Sequence, residues 1–214
     1  VGVVLIAAVG ILFVEVEVDF TKFYKPGSEI RDSVDFMNQE MTGVMDIDIR
    51  VEGNLKSPEN LNQMQVIQEF VDSHPHVCST LSIVDIIKQM HRTIMDDDPK
   101  FEIIPESKEK VSNLFTLYSM SGTLDDFSSL IDDEYQTGVI TALMFHITTT
   151  VFIEFVRDTE EMIQSITNDD IQTNITGILV IMRELVYSVI RSALSLIHIS
   201  EPTRRTPISY AVFC

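Results

Sequence analysis

Three side chains that commonly bind zinc alternate along one short stretch, at His74, His76 and Cys78. In an extended strand alternate side chains point to the same side, so all three could approach one ion. A structural zinc site needs a fourth protein ligand, however, and Pro75 ends the helical pattern between the two histidines. We therefore expect no metal at this stretch, and we interpret Cys78 as a small apolar filler.

Two acidic clusters are the next candidates for cation chemistry, at Asp96–Asp98 and Asp132–Glu134. Clustered carboxylates can bind Ca²⁺, but neither cluster has the glycine and the terminal glutamate of an EF-hand loop. We expect both to be solvated turns and predict no metal ligand in them.

Sequence motifs for catalysis are absent from the chain. It contains no glycine-rich phosphate loop, no G-x-S-x-G elbow, no C-x-x-C pair and no H-E-x-x-H helix. We therefore predict that the protein is not an enzyme, and we assign no catalytic residue and no cofactor. A hydrolase of unfamiliar type would rest only on scattered acids and histidines, such as His91.

The ten methionines could line an adaptable apolar cleft, because thioethers fit irregular surfaces. Most of them fall on apolar helical stripes, which favours core packing instead. The methionines interpreted in this way are Met37, Met41, Met64, Met90 and Met162.

Composition limits the classes of partner. The chain has 214 residues, with 33 acidic against 15 basic side chains and a formal net charge of -18. Such an excess of acid opposes binding to a phosphate backbone, so we expect no nucleic-acid partner. With only two cysteines, no disulfide framework can be inferred.

Hydrophobic periodicity predicts two β-α-β units. In the first, a strictly alternating strand at Met45–Glu52 precedes a helix that begins at Pro58, and a short strand follows at Val77–Leu81. In the second, a strand at 138–147 precedes a helical face at 151–166 and a return strand at 171–180. The repetition predicts an α+β fold made of two small subdomains, each with helices on one face of a sheet.

Two further helices have clear start signals. Ser28 follows a Pro-Gly turn and begins a helix whose stripe is expected to pack inward, and Ser82 with Asp85 forms a capping pattern for another helix. The inward stripe consists of Ile30, Val34, Met37 and Met41.

The chain opens with an apolar segment, Val1–Val14, that contains no charged residue. As a helix it would be about 21 Å long, shorter than the roughly 30 Å hydrocarbon core, so we interpret it as the end of a transmembrane helix. A signal peptide is the second interpretation. Acidic residues follow at once, at Glu15, Glu17 and Asp19, and the positive-inside rule therefore places the following domain outside the cytoplasm.

The last 21 residues break the preceding pattern. Leu194–Arg204 reads as the in-frame translation of a sequencing adapter, so we treat Leu194–Cys214 as an artefact. The resulting division is the end of a transmembrane helix at 1–14, an extracytoplasmic domain at 15–180, a helix leading to the next membrane segment at 181–193 and the artefact at 194–214.

The order of several short segments resembles the second extracytoplasmic loop of RND-superfamily exporters, in the MMPL-like or hydrophobe-exporter branch. The likeness covers Val1 to about Ala193 and depends on order and spacing rather than on any one motif. The segments are Phe23–Arg31, Gly43 with the following strand, Pro58-x-x-Leu61, His74-Pro75-x-Val77, Ser82–Lys88, Ile104-Pro105 and Thr176–Val180 before Glu184-Leu185.

The resemblance implies two ferredoxin-like β-α-β porter subdomains, preceded by the end of a transmembrane helix. It implies a fragment of a transporter in the inner (cytoplasmic) membrane, which forms part of the path for hydrophobic or amphiphilic substrates such as lipids. Ion flux through absent membrane helices would drive it. The expected partners are the membrane, the remaining halves of the transporter and a lipid-like substrate, and a homo-oligomer is left open. The alternative is an extracytoplasmic sensor or ligand-binding domain with a single membrane anchor.

Overall fold

A computed structural model describes residues 20–41, 43, 45–121, 129–167 and 170–200. The predicted membrane segment at 1–14 and most of the predicted artefact, residues 201–214, lie outside this part of the chain. The elements, in chain order, are α1 (Glu29–Glu40), β1 (Met45–Glu52), α2 (Pro58–Asp72), β2 (Val77–Leu81), α3 (Ile83–Ile94), α4 (Lys108–Ser121), β3 (Thr137–Met144), α5 (Thr149–Ile166), β4 (Gln172–Thr176) and α6 (Ile178–Ser200). Short 3₁₀ helices cover Phe20–Phe23 and Pro99–Phe101.

The four strands form one antiparallel sheet in the order β2-β3-β1-β4. Strand β1 pairs with β3 from Met45↔Met144 to Glu52↔Thr137, and with β4 on its other side. Because β2 also runs antiparallel to β3, β1 and β2 are parallel with β3 between them. Likewise β3 and β4 are parallel with β1 between them.

The α+β class is therefore confirmed. The two predicted β-α-β units are both present, but they interlock in one split β-α-β sheet instead of forming two separate sheets. The physical reason is that apolar alternation defines which face of a strand is buried, whereas it does not say which strand lies beside it.

One face of the sheet carries the core. On β1 the alternate residues Met45, Ile47, Ile49 and Val51 are buried, as their spacing predicts. Helices α2 and α5 cover this face with apolar side chains, and each fully buried aliphatic residue contributes about 1.5–3 kcal/mol. The residues from these helices are Leu61, Met64, Ile67, Val71, Phe152, Phe155, Val156 and Ile163.

Helix α1 departs from the expectation of an inward stripe. None of its residues is buried, and Ile30 is 53% exposed while Met41, at the C-cap, is 57% exposed. A hydrogen bond attaches α1 to the body, from the His146 backbone N–H to Asn38 Oδ1 at 3.1 Å. Helical spacing predicted the apolar side of α1 but not what covers that side.

The return strand is shorter than predicted. Strand β4 ends at Thr176, and α6 begins at Ile178, because Gly177 turns the chain with φ of +117°. Helix α6 then continues through 181–193 to Ser200. None of the helices in the described part of the chain is both long and apolar enough to cross a membrane.

The chain joins and leaves the sheet at the same end. Gly43, just before β1, packs against the Met144 carbonyl at the end of β3. Gly177, just after β4, packs against Asp46 and Ile47 near the start of β1. Helices α1 and α6 therefore both connect to the end of the sheet where β1 begins.

Replacing Gly177 by alanine should destabilise the fold strongly. A Cβ there would lie 3.0 Å from the Asp46 carbonyl oxygen and 3.1 Å from Ile47 Cα, on a backbone that L-residues rarely adopt. We expect a loss of about 3 kcal/mol in the free energy of unfolding, measured by urea denaturation of the purified chain. Gly27→Ala is the matched control, since its φ of +76° is strained but no atom lies within 4 Å, and it should cost only about 1 kcal/mol. Equal losses for the two variants would contradict the close packing at Gly177.

Candidate functional site

A polar cleft of about 310 Å³ lies between α2, β2 and α3. Its walls carry amide, hydroxyl, carboxylate and ammonium groups. The lining residues are Gln65, Gln68, Glu69, Asp72, Thr80, Asp85 and Lys88. We refer to this site as the polar cleft.

Gln68 is the centre of a hydrogen-bond network at the base of the polar cleft, and only 7% of the residue is exposed. Its Nε2 donates to Asp85 Oδ2 at 2.7 Å and to Thr80 Oγ1 at 3.3 Å. Its Oε1 accepts a hydrogen bond from the Ser82 hydroxyl at 2.6 Å. One amide side chain of α2 thereby links the end of β2 to the start of α3.

The start of α3 explains why this network forms. Ser82 is fully buried and caps the helix, accepting a hydrogen bond from the Val84 backbone N–H at 3.1 Å. Asp85 Oδ2 accepts a hydrogen bond from the Ser82 backbone N–H at 2.9 Å, which completes the predicted capping box. Burial of the Ser82 hydroxyl requires an acceptor for its proton, and Gln68 supplies it.

The polar cleft carries more negative than positive charge. Glu69, Asp72 and Asp85 face a single basic side chain, Lys88. Asp72 Oδ1 accepts from the Thr80 hydroxyl at 3.1 Å, and Glu69 Oε1 accepts from Gln65 Nε2 at 2.6 Å. These partners make the cleft suited to a cationic or hydrogen-bonding ligand and unsuited to a hydrophobic one.

The network offers no activated nucleophile. The Ser82 hydroxyl donates to an amide oxygen, whereas nucleophilic catalysis requires an imidazole, carboxylate or amine to take its proton. The serine in this network therefore has a structural role.

Of the three side chains considered for zinc, His74 and His76 lie close together, with ring centroids 5.5 Å apart. The His74 ring packs against Phe155, with ring centroids 4.5 Å apart, and its Nδ1 accepts from the His76 backbone N–H. Burial lowers the pKa of His74, nearby His76 lowers it further, and Asp158 partly opposes both. Burial also raises the pKa of the Cys78 thiol, which disfavours the thiolate that binds metal. Within the described residues no group of three or more potential ligands could hold a metal ion.

The first acidic cluster forms a turn after α3. Asp96 and Asp97 both have positive φ, which acidic residues tolerate better than most, and Asp98 Oδ1 caps the next 3₁₀ helix by accepting from the Lys100 N–H. Arg92 forms ion pairs with Asp97 and Glu102, at 3.0 and 3.1 Å. These acids organise a turn on the surface.

The second cluster closes the loop before β3. Asp132 Oδ1 accepts hydrogen bonds from the backbone N–H groups of Gln136 and Thr137, at 2.7 and 2.9 Å. Asp132 therefore stabilises the backbone of this loop.

The methionines divide into two groups. Met64 is buried, and Met90 and Met162 pack against the core, as predicted. Met37 and Met41 are exposed, which corrects the expectation of core packing for them, because α1 does not enter the core.

Sequence reasoning found Ser82 and Asp85 through their capping spacing, but it missed Gln68, Thr80 and Asp72. No local pattern links these residues to the cap, since Gln68 precedes Ser82 along the chain on another element.

Replacing Ser82 by alanine should destabilise the protein by about 2 kcal/mol. The change removes the cap of Val84 and leaves the buried Gln68 Oε1 without its donor. Ser57→Ala is the matched control, because Ser57 is the N-cap of α2 but makes no side-chain capping bond, and it should change stability by less than about 0.5 kcal/mol. Urea denaturation of both variants measures the difference, and similar small losses would show that the Gln68 network contributes little.

No family model matches the chain, and it matches neither a curated protein nor a solved structure. No relative therefore assigns a substrate, a partner or a catalytic residue. The described residues themselves offer a polar cleft beside β2 and two helices with exposed apolar side chains where the chain joins and leaves the sheet.

Proposed function

We propose that the chain is part of an RND-type membrane exporter and forms an extracytoplasmic domain held between two membrane helices. The observation that carries the proposal is the position of α1 and α6, which join the same end of the sheet and both carry exposed apolar side chains. On α6 these side chains recur at helical spacing, at Ile178, Ile181, Leu185 and Val189.

The common position of the two helices is what a loop between membrane helices requires, because both of its ends must face the bilayer. Many soluble domains also have neighbouring ends, so this position is not specific by itself. The exposed apolar residues on both helices add a second observation. They mark surfaces that need a covering partner, and they lie on the helices nearest to the predicted membrane segments.

In this role the domain would line part of the transport path and move as a rigid body. The transporter would alternate between conformations whose populations shift during the transport cycle. The polar cleft is not the path for hydrophobic cargo, since its lining is charged and hydrogen-bonded. A hydrophobic path would have to form between this domain and the remaining parts of the transporter.

The polar cleft favours a second candidate, an extracytoplasmic ligand-binding or sensor domain with a single membrane anchor. Its volume of about 310 Å³ and its acidic lining suit a small cationic ligand. The two candidates differ in the number of membrane helices in the complete protein.

Sequencing the source DNA across both ends of the chain separates these candidates. For the exporter we expect the reading frame to continue into several apolar stretches of about 20 residues, with ionisable residues inside at least one of them. The same read should depart from the present sequence near Leu194. A start codon just upstream of Val1 and a stop codon after Cys214 would reject the exporter.

Labelling from outside the cell tests the predicted side of the membrane. Asn174 is exposed on β4, so Asn174→Cys, in a chain where Cys78 and Cys214 are serine, should react with a membrane-impermeant maleimide on intact spheroplasts of a bacterial host. Ala142→Cys is the control on the neighbouring part of the sheet, because Ala142 is fully buried and should stay unlabelled before and after lysis. Labelling of Asn174→Cys only after lysis would place the domain in the cytoplasm and contradict the proposal.

A further inference from the structure

Helix α1 needs a covering surface that the described residues do not supply. It spans Glu29–Glu40 and buries none of its residues. Isolated helices of this length are marginally stable in water, and most helices in proteins gain their stability by packing an apolar face. The exposed apolar side chains of α1 are Ile30, Phe36, Met37 and, at the C-cap, Met41. Ile30, Met37 and Met41 share one side of the helix, which we call the α1 stripe, and this exposed side indicates a missing contact.

The side chains of α1 fall on three sides of the helix. Arg31, Val34 and Asn38 are half-buried and form the side that faces the body, where Asn38 binds the His146 backbone. Asp32, Asp35 and Gln39 are exposed on the polar side. The α1 stripe lies on the third side, since its residues recur at helical spacing.

The segment before α1 extends the same exposed apolar surface. Phe23 is 72% exposed and Tyr24 is 42% exposed, and the two are flanked by Lys22 and Lys25. The Arg31 guanidinium donates to the Tyr24 carbonyl at 3.5 Å, so this aromatic pair is tied to the first turn of α1. Aromatic rings beside basic side chains are typical of residues at a membrane-water interface.

The position of α1 in the chain indicates which surface covers the α1 stripe. The uncharged segment Val1–Val14 precedes α1, and residues 15–28, which connect them, can span at most about 50 Å. We propose that α1 lies at the extracytoplasmic surface of the bilayer. The α1 stripe then contacts lipid, and the acidic side of the helix faces water. The inference rests on the proposed function, because it requires Val1–Val14 to be in the membrane.

The charges on α1 determine the kind of lipid surface. Glu29, Asp32, Asp35 and Glu40 outnumber Arg31, so attraction to anionic lipids cannot hold the helix. The apolar side chains must supply the binding, and a zwitterionic phosphatidylcholine surface is the appropriate partner.

Spin labels on the full chain in phosphatidylcholine vesicles test the inference. Single cysteines replace Met37 or Met41 on the α1 stripe, Asp35 on the polar side and Val9 in the apolar segment, in the background with serine at 78 and 214. The depth of each spin label in the bilayer is measured from its accessibility to oxygen relative to its accessibility to a water-soluble nickel chelate. We expect the labels at Met37→Cys and Met41→Cys to favour oxygen, at a depth of about 5–10 Å, and the label at Asp35→Cys to favour the chelate.

The outcomes separate this inference from the proposed function. If both stripe labels are as accessible to the chelate as Asp35→Cys, or are shielded from both reagents as in a protein contact, the interfacial position of α1 is wrong. The proposed function survives either result provided that the Val9→Cys label is still in lipid. A Val9→Cys label in water would overturn both proposals.

Discussion

The pairing of β1 on both of its sides is the constraint on which the rest of the structure depends. Strand β1 lies between β3 and β4, and its alternate residues Ile47, Ile49 and Val51 are fully buried under α2 and α5. Each of its two neighbours belongs to the second β-α-β unit, so neither unit has a complete sheet without the other. Register is strongly specified here, because a slip by one residue would turn Asp46 and Asp48 into the core and expose the isoleucines. The positions of the polar cleft and of the flanking helices follow from this pairing.

Local chemistry in the sequence predicted those features that depend on neighbouring residues. The alternation in Met45–Glu52 gives both the strand and its buried face, and the Ser82–Asp85 spacing gives the capping box at the start of α3. Gly177 lies inside the predicted return strand, and its positive φ and close approach to β1 explain why that strand ends before it. The features that were missed involve distant residues. Gln68 reaches the cap from another helix, and interlocking of the two units depends on pairing between strands that the period of each strand leaves open.

The distribution of polarity separates the body from its flanking helices. The core is a continuous cluster of mainly apolar residues, and several side chains of the cleft beside β2 hydrogen-bond to one another. Exposed apolar side chains occur on α1 and α6, which flank the sheet in the sequence, and also on the body, where Ile103 and Met120 are examples. An apolar side that faces water adds little to the stability of a helix, so a partner surface would stabilise both helices.

Helix α6 has a larger share of apolar residues than α1, but in the described part of the chain it does not meet the length and apolarity needed to cross a membrane. Arg183 forms an ion pair with Glu184 at 3.0 Å, and only 21% of the Arg183 side chain is exposed. Two charged residues in the second turn would be costly in hydrocarbon but are well placed where a helix leaves a soluble body. The exposed residues Ile181, Leu185 and Val189 recur at helical spacing and share one side of this helix. Beyond this pair, residues 185–193 combine apolar side chains with Arg191, so this part of α6 is mixed in polarity. Under the proposed function, the Arg183–Glu184 pair lies where α6 leaves the domain, and the charged residues between Val14 and α1 occupy the corresponding place at the other end.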